Sequence, residues 1–245
     1  MKNTFKLFGI AVLVAAIGLS MAACDTGSTS VRNDLPPAGD GSISASDWPL
    51  VFAGVVDTQG NPVNRTMNFT RVYDLSDEDW DIAPVDIADI IPGSEIRLEG
   101  STLSLRLGTP REGTLVSFAD LFNGAPQPNI SITTGLRVTM LAPIEGVVLF
   151  LTTDSYFLGW LIPPDPGAYE PAGSVAFMYA DREGTVRGIF EDEYGASMIN
   201  MALRPGWNTV LTTMEFDPAS GRVTGSMVTG TPGNDFRWVL FPPWN

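Results

Sequence analysis

The chain has 245 residues, one cysteine, no histidine, and 28 acidic against 14 basic side chains, for a formal net charge of −14. Its only lysines are Lys2 and Lys6, so the rest of the chain has no Ser-His-Asp or Cys-His triad, no histidine-ligated zinc or haem, and no Schiff-base or Walker lysine. The acidic balance argues against nucleic acid as a partner and against a basic face as the means of membrane attachment.

Lys2 and Lys6 form a short basic start, followed by an apolar run from Leu7 to Leu19 and then small residues up to Cys24. This is the three-part layout of a secretory signal. A permanent span needs about 20 apolar residues, and this run is shorter and ends without a charge cluster. Met21-Ala22-Ala23-Cys24 resembles the lipobox of bacterial lipoprotein precursors. That resemblance implies cleavage before Cys24, a thioether-linked diacylglycerol on its sulfur, and acylation of the new N-terminus. The implied partner is a membrane, reached through covalent lipid in the cell envelope, with the leaflet left open. Each buried methylene contributes roughly 0.8 kcal/mol, so two or more acyl chains anchor stably. A lone cysteine fits this use, since it has no internal disulfide partner.

Residues 1–23 are therefore expected to be a signal peptide and 24–47 a lipidated cysteine on a disordered tether, with 48–245 an all-β domain. Without its signal the chain keeps 12 arginines against 28 acids, a formal charge of −16. Asp25 to Asp47 is rich in Gly, Ser, Thr, Pro and Asp, and a coil of that length reaches roughly 25–30 Å.

From Trp48 onward, short apolar runs alternate with turn signals. Leu50–Val56 meets the turn cluster Asp57-Thr58-Gln59-Gly60-Asn61-Pro62, and Val63–Tyr73 follows. Val55 to Val63 resembles the opening hairpin of carboxypeptidase-regulatory-like, transthyretin-type β-sandwich modules, which implies a strand-turn-strand here and no particular activity. Leu103, Leu105 and Leu107 alternate with Ser104 and Arg106, the period-2 mark of a half-buried strand. Thr114–Phe122 has the spacing of a short helix. Val147–Thr152 and Tyr156–Ile162 read as strands buried on both faces. Val175–Tyr179 and Val186–Phe190 flank Asp181-Arg182-Glu183-Gly184, which predicts a hairpin. Met198–Leu203, Thr209–Met214, Arg222–Val228 and Phe236–Phe241 complete the strands, with a turn at Asp217–Gly221. Many short strands, with 25 Gly and 19 Pro between them, predict an antiparallel β-sandwich or barrel with at most one or two short helices.

Three sets of side chains are candidates for chemistry or binding. Asp77, Asp79 and Asp81 share the alternation of the first ligands of a calcium loop, although Ile82 stands where the turn glycine belongs and Ala88 where a bidentate glutamate belongs. Calcium is the one cofactor this pattern suggests. Trp80, Tyr169 and Tyr194 lie near turns or acids and are candidate contacts for a glycan or protein ligand, whereas Trp160 and Trp207 are expected in the core. Glu145, Glu170, Glu191, Asp192 and Glu193 are the carboxylates available to a glycan hydrolase, which needs two of them facing each other. The pattern as a whole points to a non-catalytic envelope lipoprotein with a structural, adhesive or ligand-binding domain, and to a carboxylate-based glycan hydrolase as the alternative.

Overall fold

Turn-forming residues break the apolar runs into many short strands, which the computed structural model describes over residues 38–57, 59–74, 85–119, 129–141, 149–152, 157–161, 173–191, 195–217, 222–231 and 237–241. In chain order the strands begin with β1 (Leu50–Ala53), β2 (Val56–Asp57), β3 (Arg65–Asn68), β4 (Arg71–Asp74) and β5 (Val85–Asp86). Then come β6 (Glu95–Gly100), β7 (Thr102–Arg106), β8 (Val116–Ser117), β9 (Ile130–Ile132), β10 (Arg137–Leu141), β11 (Leu149–Thr152) and β12 (Phe157–Leu161). The longest follow: β13 (Gly173–Ala180), β14 (Gly184–Glu191), β15 (Gly195–Leu203), β16 (Gly206–Asp217) and β17 (Arg222–Thr229), with β18 (Arg237–Phe241) last. Helix among the described residues amounts to one turn, α1 (Ile87–Ile90), a 3-10 turn at Glu112–Thr114 and 3-10 backbone at Phe118–Ala119. The protein is all-β.

The strands form three sheets, ordered β1-β7-β6-β3, β8-β10-β13-β16-β17-β15-β14-β9 and β2-β18-β12-β11-β4-β5. Pairing is antiparallel except for β15 with β17 and β18 with β2, which are parallel. The eight-stranded sheet cannot be flat. Its third and seventh strands, β13 and β14, are joined by Asp181-Arg182-Glu183 alone. Four strand spacings across a flat sheet come to about 19 Å, whereas the four Cα steps from Ala180 to Gly184 reach at most about 14 Å. The link from β9, the eighth strand, to β10, the second, makes the same demand. The sheet therefore curls into a half-barrel.

Two apolar cores follow. One fills the curl, with Val138, Ala176, Met178, Val186, Ile199 and Met201 among its buried residues. The other lies between the curl and the two smaller sheets and includes Val72, Ile96, Leu98, Leu103, Leu105 and Val175. Strand β13 is the wall between them. Val175 and Phe177 face the second core while Ala176, Met178 and Ala180 face the first, which explains its unbroken apolar run. On that wall Phe177 stacks on Trp238 of β18 (ring centroids 6.4 Å apart, 11° between planes), and Phe52 of β1 meets Trp238 edge-on at 5.4 Å. Each ring comes from a different sheet, so the three pin the sheets together.

The Leu103/Leu105 alternation forms β7, with both leucines fully buried, and Trp207 is in the core, 5 % exposed. Three expectations are corrected. Val175–Tyr179 and Val186–Phe190 are strands but not a hairpin, because each finds its partners elsewhere in the curled sheet. Over its described residues Thr114–Phe122 is not one helix: Thr114 ends a 3-10 turn, Val116 and Ser117 pair with β10 as β8, and 3-10 backbone follows at Phe118–Ala119, with Phe118 buried in the curl; residues 120–122 lie outside the described residues. A strand edge open for pairing outweighs weak helical spacing. The tether does not run to Asp47, since Gly39 to Ile43 are hydrogen-bonded to β16 and β17. Of the two runs expected to be buried on both faces, β11 and β12 form as paired strands.

Replacing Phe177 with Ala is expected to cost about 3–5 kcal/mol, because it opens a cavity where all three sheets meet. Val51→Ala, at a site 63 % exposed, should change stability by no more than about 0.5 kcal/mol. Urea unfolding followed by tryptophan fluorescence separates the two, and equal midpoints would show that the rings do not hold the sheets.

Candidate functional site

The densest polar constellation among the described residues lies at one end of the half-barrel, where three links meet: Thr133–Leu136, Asp181–Glu183 and Arg204–Pro205. Closing a sheet with links this short leaves backbone groups off the ladder, and such groups must find side-chain partners. Asp181 supplies one set. Its carboxylate accepts from Arg182 Nε and Nη2 at 3.1 and 2.9 Å, and from Arg137 N and Nε at 3.0 and 3.4 Å. The same Arg137 guanidinium reaches Glu112 Oε1 at 3.4 Å, tying the 3-10 turn before β8 to this end. Asp181 is 13 % exposed, and the Arg182 guanidinium above all holds its carboxyl down at about 2.

Asn208 supplies the other set. It is fully buried; its Nδ2 donates to Arg204 O at 2.8 Å and Gly206 O at 2.9 Å, while its Oδ1 accepts from Arg204 N at 2.9 Å. The turn from β15 to β16 is thus wrapped around one amide. Outside it, Arg204 Nη1 pairs with Glu183 at 3.0 Å, both groups well exposed.

Against the same turn lies the segment Gly39–Ile43. Gly39 N–H donates to Thr229 O at 2.7 Å, Thr209 N–H to Gly41 O at 2.7 Å, and Ile43 N–H to Trp207 O at 2.9 Å. Asp40 turns back on Ser42, accepting from its hydroxyl at 2.7 Å and its amide at 3.0 Å, and these bonds lower its pKa.

These groups hold structure together; the geometry does not equip them to react. A carboxyl near 2 is ionised at neutral pH and cannot donate a proton, and four donors leave it a weak base. Arg137 is committed to two carboxylates. No group of three or more His, Cys, Asp or Glu among the described residues is placed to hold a metal.

Every site residue expected from the sequence falls outside the described residues: Cys24, Trp80, Tyr169, Tyr194, Asp77, Asp79 and Asp81. Of the candidate hydrolase carboxylates, Glu145, Glu170, Asp192 and Glu193 also fall outside, and Glu191 ends β14 with Arg222 Nη2 3.7 Å away. Asp86 caps α1, accepting from Ala88 N at 2.8 Å. At the predicted turn, Asp57 Oδ1 accepts from the amides of Gln59 and Asn61 at 2.9 Å each, Gly60 takes a positive φ of 82°, and Val63 N–H returns to Val55 O. The turn forms with an isolated Val56–Pro62 bridge across it, but β2 pairs with β18 and β3 with β6, so the flanking strands go to different sheets.

The sequence reading missed Asn208 and Asp181 as organisers. The signal available for Asp181 was the paired charges Asp181-Arg182; for Asn208 it was a lone amide between Trp207 and a β-branched run.

Asp181→Asn should lower stability at neutral pH. The folded carboxyl titrates at about 2 against an ordinary value of 3.8, so its contribution is complete above about pH 4 and fades as pH falls toward 2. The gap in urea midpoint between wild type and variant should therefore close on acidification, and a constant gap would contradict the network. Asn208→Ala strands the Arg204 amide and should cost about 2–3 kcal/mol, read in the same assay.

Comparison with family models, with curated proteins and with solved structures finds no match for this chain.

Proposed function

We propose that this chain is an exported, lipid-anchored lipoprotein of the cell envelope whose β-domain is a non-catalytic module for structural, adhesive or ligand-binding work. The observation that carries the reading is the run from Lys2 and Lys6 through the apolar stretch Leu7–Leu19 to Met21-Ala22-Ala23-Cys24. The chemistry of the remaining chain supports it, because past Lys6 there is neither histidine nor lysine to serve as base or nucleophile. The described polar network supports it as well: Asp181, Glu112, Glu183 and Glu191 each face an arginine. A glycan hydrolase needs two carboxylates about 5–9.5 Å apart across a bound sugar, and a carboxylate paired with arginine is a poor proton donor. In this reading Trp80, Tyr169 and Tyr194 are the contacts offered to a glycan or protein ligand, since tyrosine and tryptophan bring large area with a polar handle.

Cells expressing the full chain and fed an alkyne fatty acid should label it. Cys24→Ser should abolish the label and move the protein from the membrane to the soluble fraction. Undiminished label in that variant, or an N-terminal peptide that mass spectrometry finds uncleaved and unacylated, would overturn the proposal.

A further inference from the structure

We infer that the start of β16 is a strand-acceptor slot for an extended Gly-x-Gly-Ser-Ile segment, closed in cis by Gly39–Ile43 as a displaceable plug and open to the same segment of a second copy of this chain. The slot is independent of the lipid-anchor reading of Cys24.

The slot exists because two neighbouring strands end at different places. β17 stops at Thr229, opposite Val210, while β16 begins already at Gly206. The walls there are deep: Thr229 is 1 % exposed, Asn208 0 %, and Trp207 and Thr209 5 % each. Left empty, the slot would bury Thr209 N–H, Trp207 O and Thr229 O without partners, which a folded chain avoids. The plug supplies them. It runs antiparallel to β16 with Ser42 bridged to Asn208. On either side of that bridge Thr209 N–H donates to Gly41 O and Ile43 N–H to Trp207 O, while Gly39 N–H donates to Thr229 O. The Thr229 hydroxyl donates to Gly39 O at 2.9 Å and accepts from Ala202 N at 3.1 Å. This is strand addition, in which main-chain bonds hold and side-chain positions select.

Position by position, the slot selects this sequence. A Cβ on Gly41 would collide with Thr209 O and Gly230 N, and one on Gly39 would press on Thr229 O at 3.1 Å. Ile43 packs on the core between the sheets. Asp40 accepts from the Ser42 amide and hydroxyl, so the segment carries its own bend wherever it binds. Those Ser42 bonds above all, and the Arg204 charge in smaller part, hold the Asp40 carboxyl low, so the slot offers a cation to the one acid of the segment. The plug itself is shallow. Gly39, Asp40 and Ser42 are exposed, and Ile43 is the one side chain of the segment laid on a core. A segment with so few apolar contacts opens without the rest of its domain. A second copy carries every feature the slot selects. It competes with a cis effective concentration on the order of a millimolar, so exchange between copies belongs to crowded conditions.

The probe is the end-blocked peptide Ala-Gly-Asp-Gly-Ser-Ile-Ser, residues 38–44, added to the full chain while amide exchange is followed residue by residue. Without peptide, Ile43 and Thr209 should open together, at least about tenfold more often than the amides of β13. With peptide, Ile43 exchange should rise in proportion to one plus the ratio of peptide concentration to its dissociation constant, because the plug is held out. Thr209 exchange should stay unchanged, because the peptide takes its N–H. The same peptide with Gly41→Val should do nothing. Opening of Ile43 only at the β13 rate, an Ile43 rate untouched by millimolar peptide, or an equal rise with the Val peptide would each overturn the slot. The Gly41→Val protein, whose plug cannot seat, should bind fluorescein-labelled peptide at least about tenfold more tightly than wild type, since the cis competitor is gone. A folded variant that binds no better would overturn the slot too; if the variant fails to fold, exchange on the unaltered chain decides. Sedimentation identifies the occupant. The full chain should be monomeric at micromolar concentration and gain dimer toward about 1 mM, and the peptide should disperse that dimer. Monomer throughout, or a dimer the peptide leaves intact, would overturn the second copy as occupant.

Discussion

The structure depends on β13, a strand that has no solvent face. Its odd residues, Val175 and Phe177, belong to the core between the sheets, and its even residues, Ala176, Met178 and Ala180, belong to the core inside the curl. A strand buried on both sides transmits packing from one core to the other, because close-packed interiors relax little around a change of volume. Phe177 is the point of contact. It stacks on Trp238 and lies 6.5 Å from Phe52, so one side chain on the shared wall touches the other two sheets. The smaller sheets have strands of two to six residues; sheets that short gain much of their stability from what they pack against.

Curling a sheet concentrates its difficulties at the closed end. There the links are short, the ladder runs out, and backbone amides point at one another's strands. The protein meets this with a buried amide at Asn208, bonded to backbone, and a carboxylate at Asp181 that serves backbone and side chain together. A buried polar group with all its partners in place favours one geometry strongly, since any slip leaves a desolvated donor or acceptor. The Gly39–Ile43 segment joins the same joint from the opposite end of the chain.

Among the described residues Arg97 pairs with Glu99, Arg111 with Asp89 and Arg204 with Glu183, while Arg137 reaches both Glu112 and Asp181. Such surface pairs contribute little to stability individually; their use is in keeping an acidic surface ordered where links are crowded.

The sequence by itself determined the element types and their punctuation. Period-2 leucines gave β7, and the Asp57–Pro62 cluster gave a turn whose Asx bonds need only residues close in sequence. Composition removed histidine and lysine chemistry outright, because an absent side chain cannot be restored by folding. The candidate aromatics, the aspartate alternation and the proposed lipidation of Cys24 were all read from local pattern, and local pattern is silent on what faces what. Only the tertiary structure decided that β13 and β14 part company after a turn that looks made for a hairpin, since partner choice is set by the curl of the whole sheet. It also decided that Gly39–Ile43, polar and glycine-rich, is bound in the sheet. Composition reads such a segment as tether because it offers no apolar side chains to bury, yet here the glycines are the fit. An edge with unpaired backbone groups recognises backbone, and hydrophobic periodicity carries no record of that.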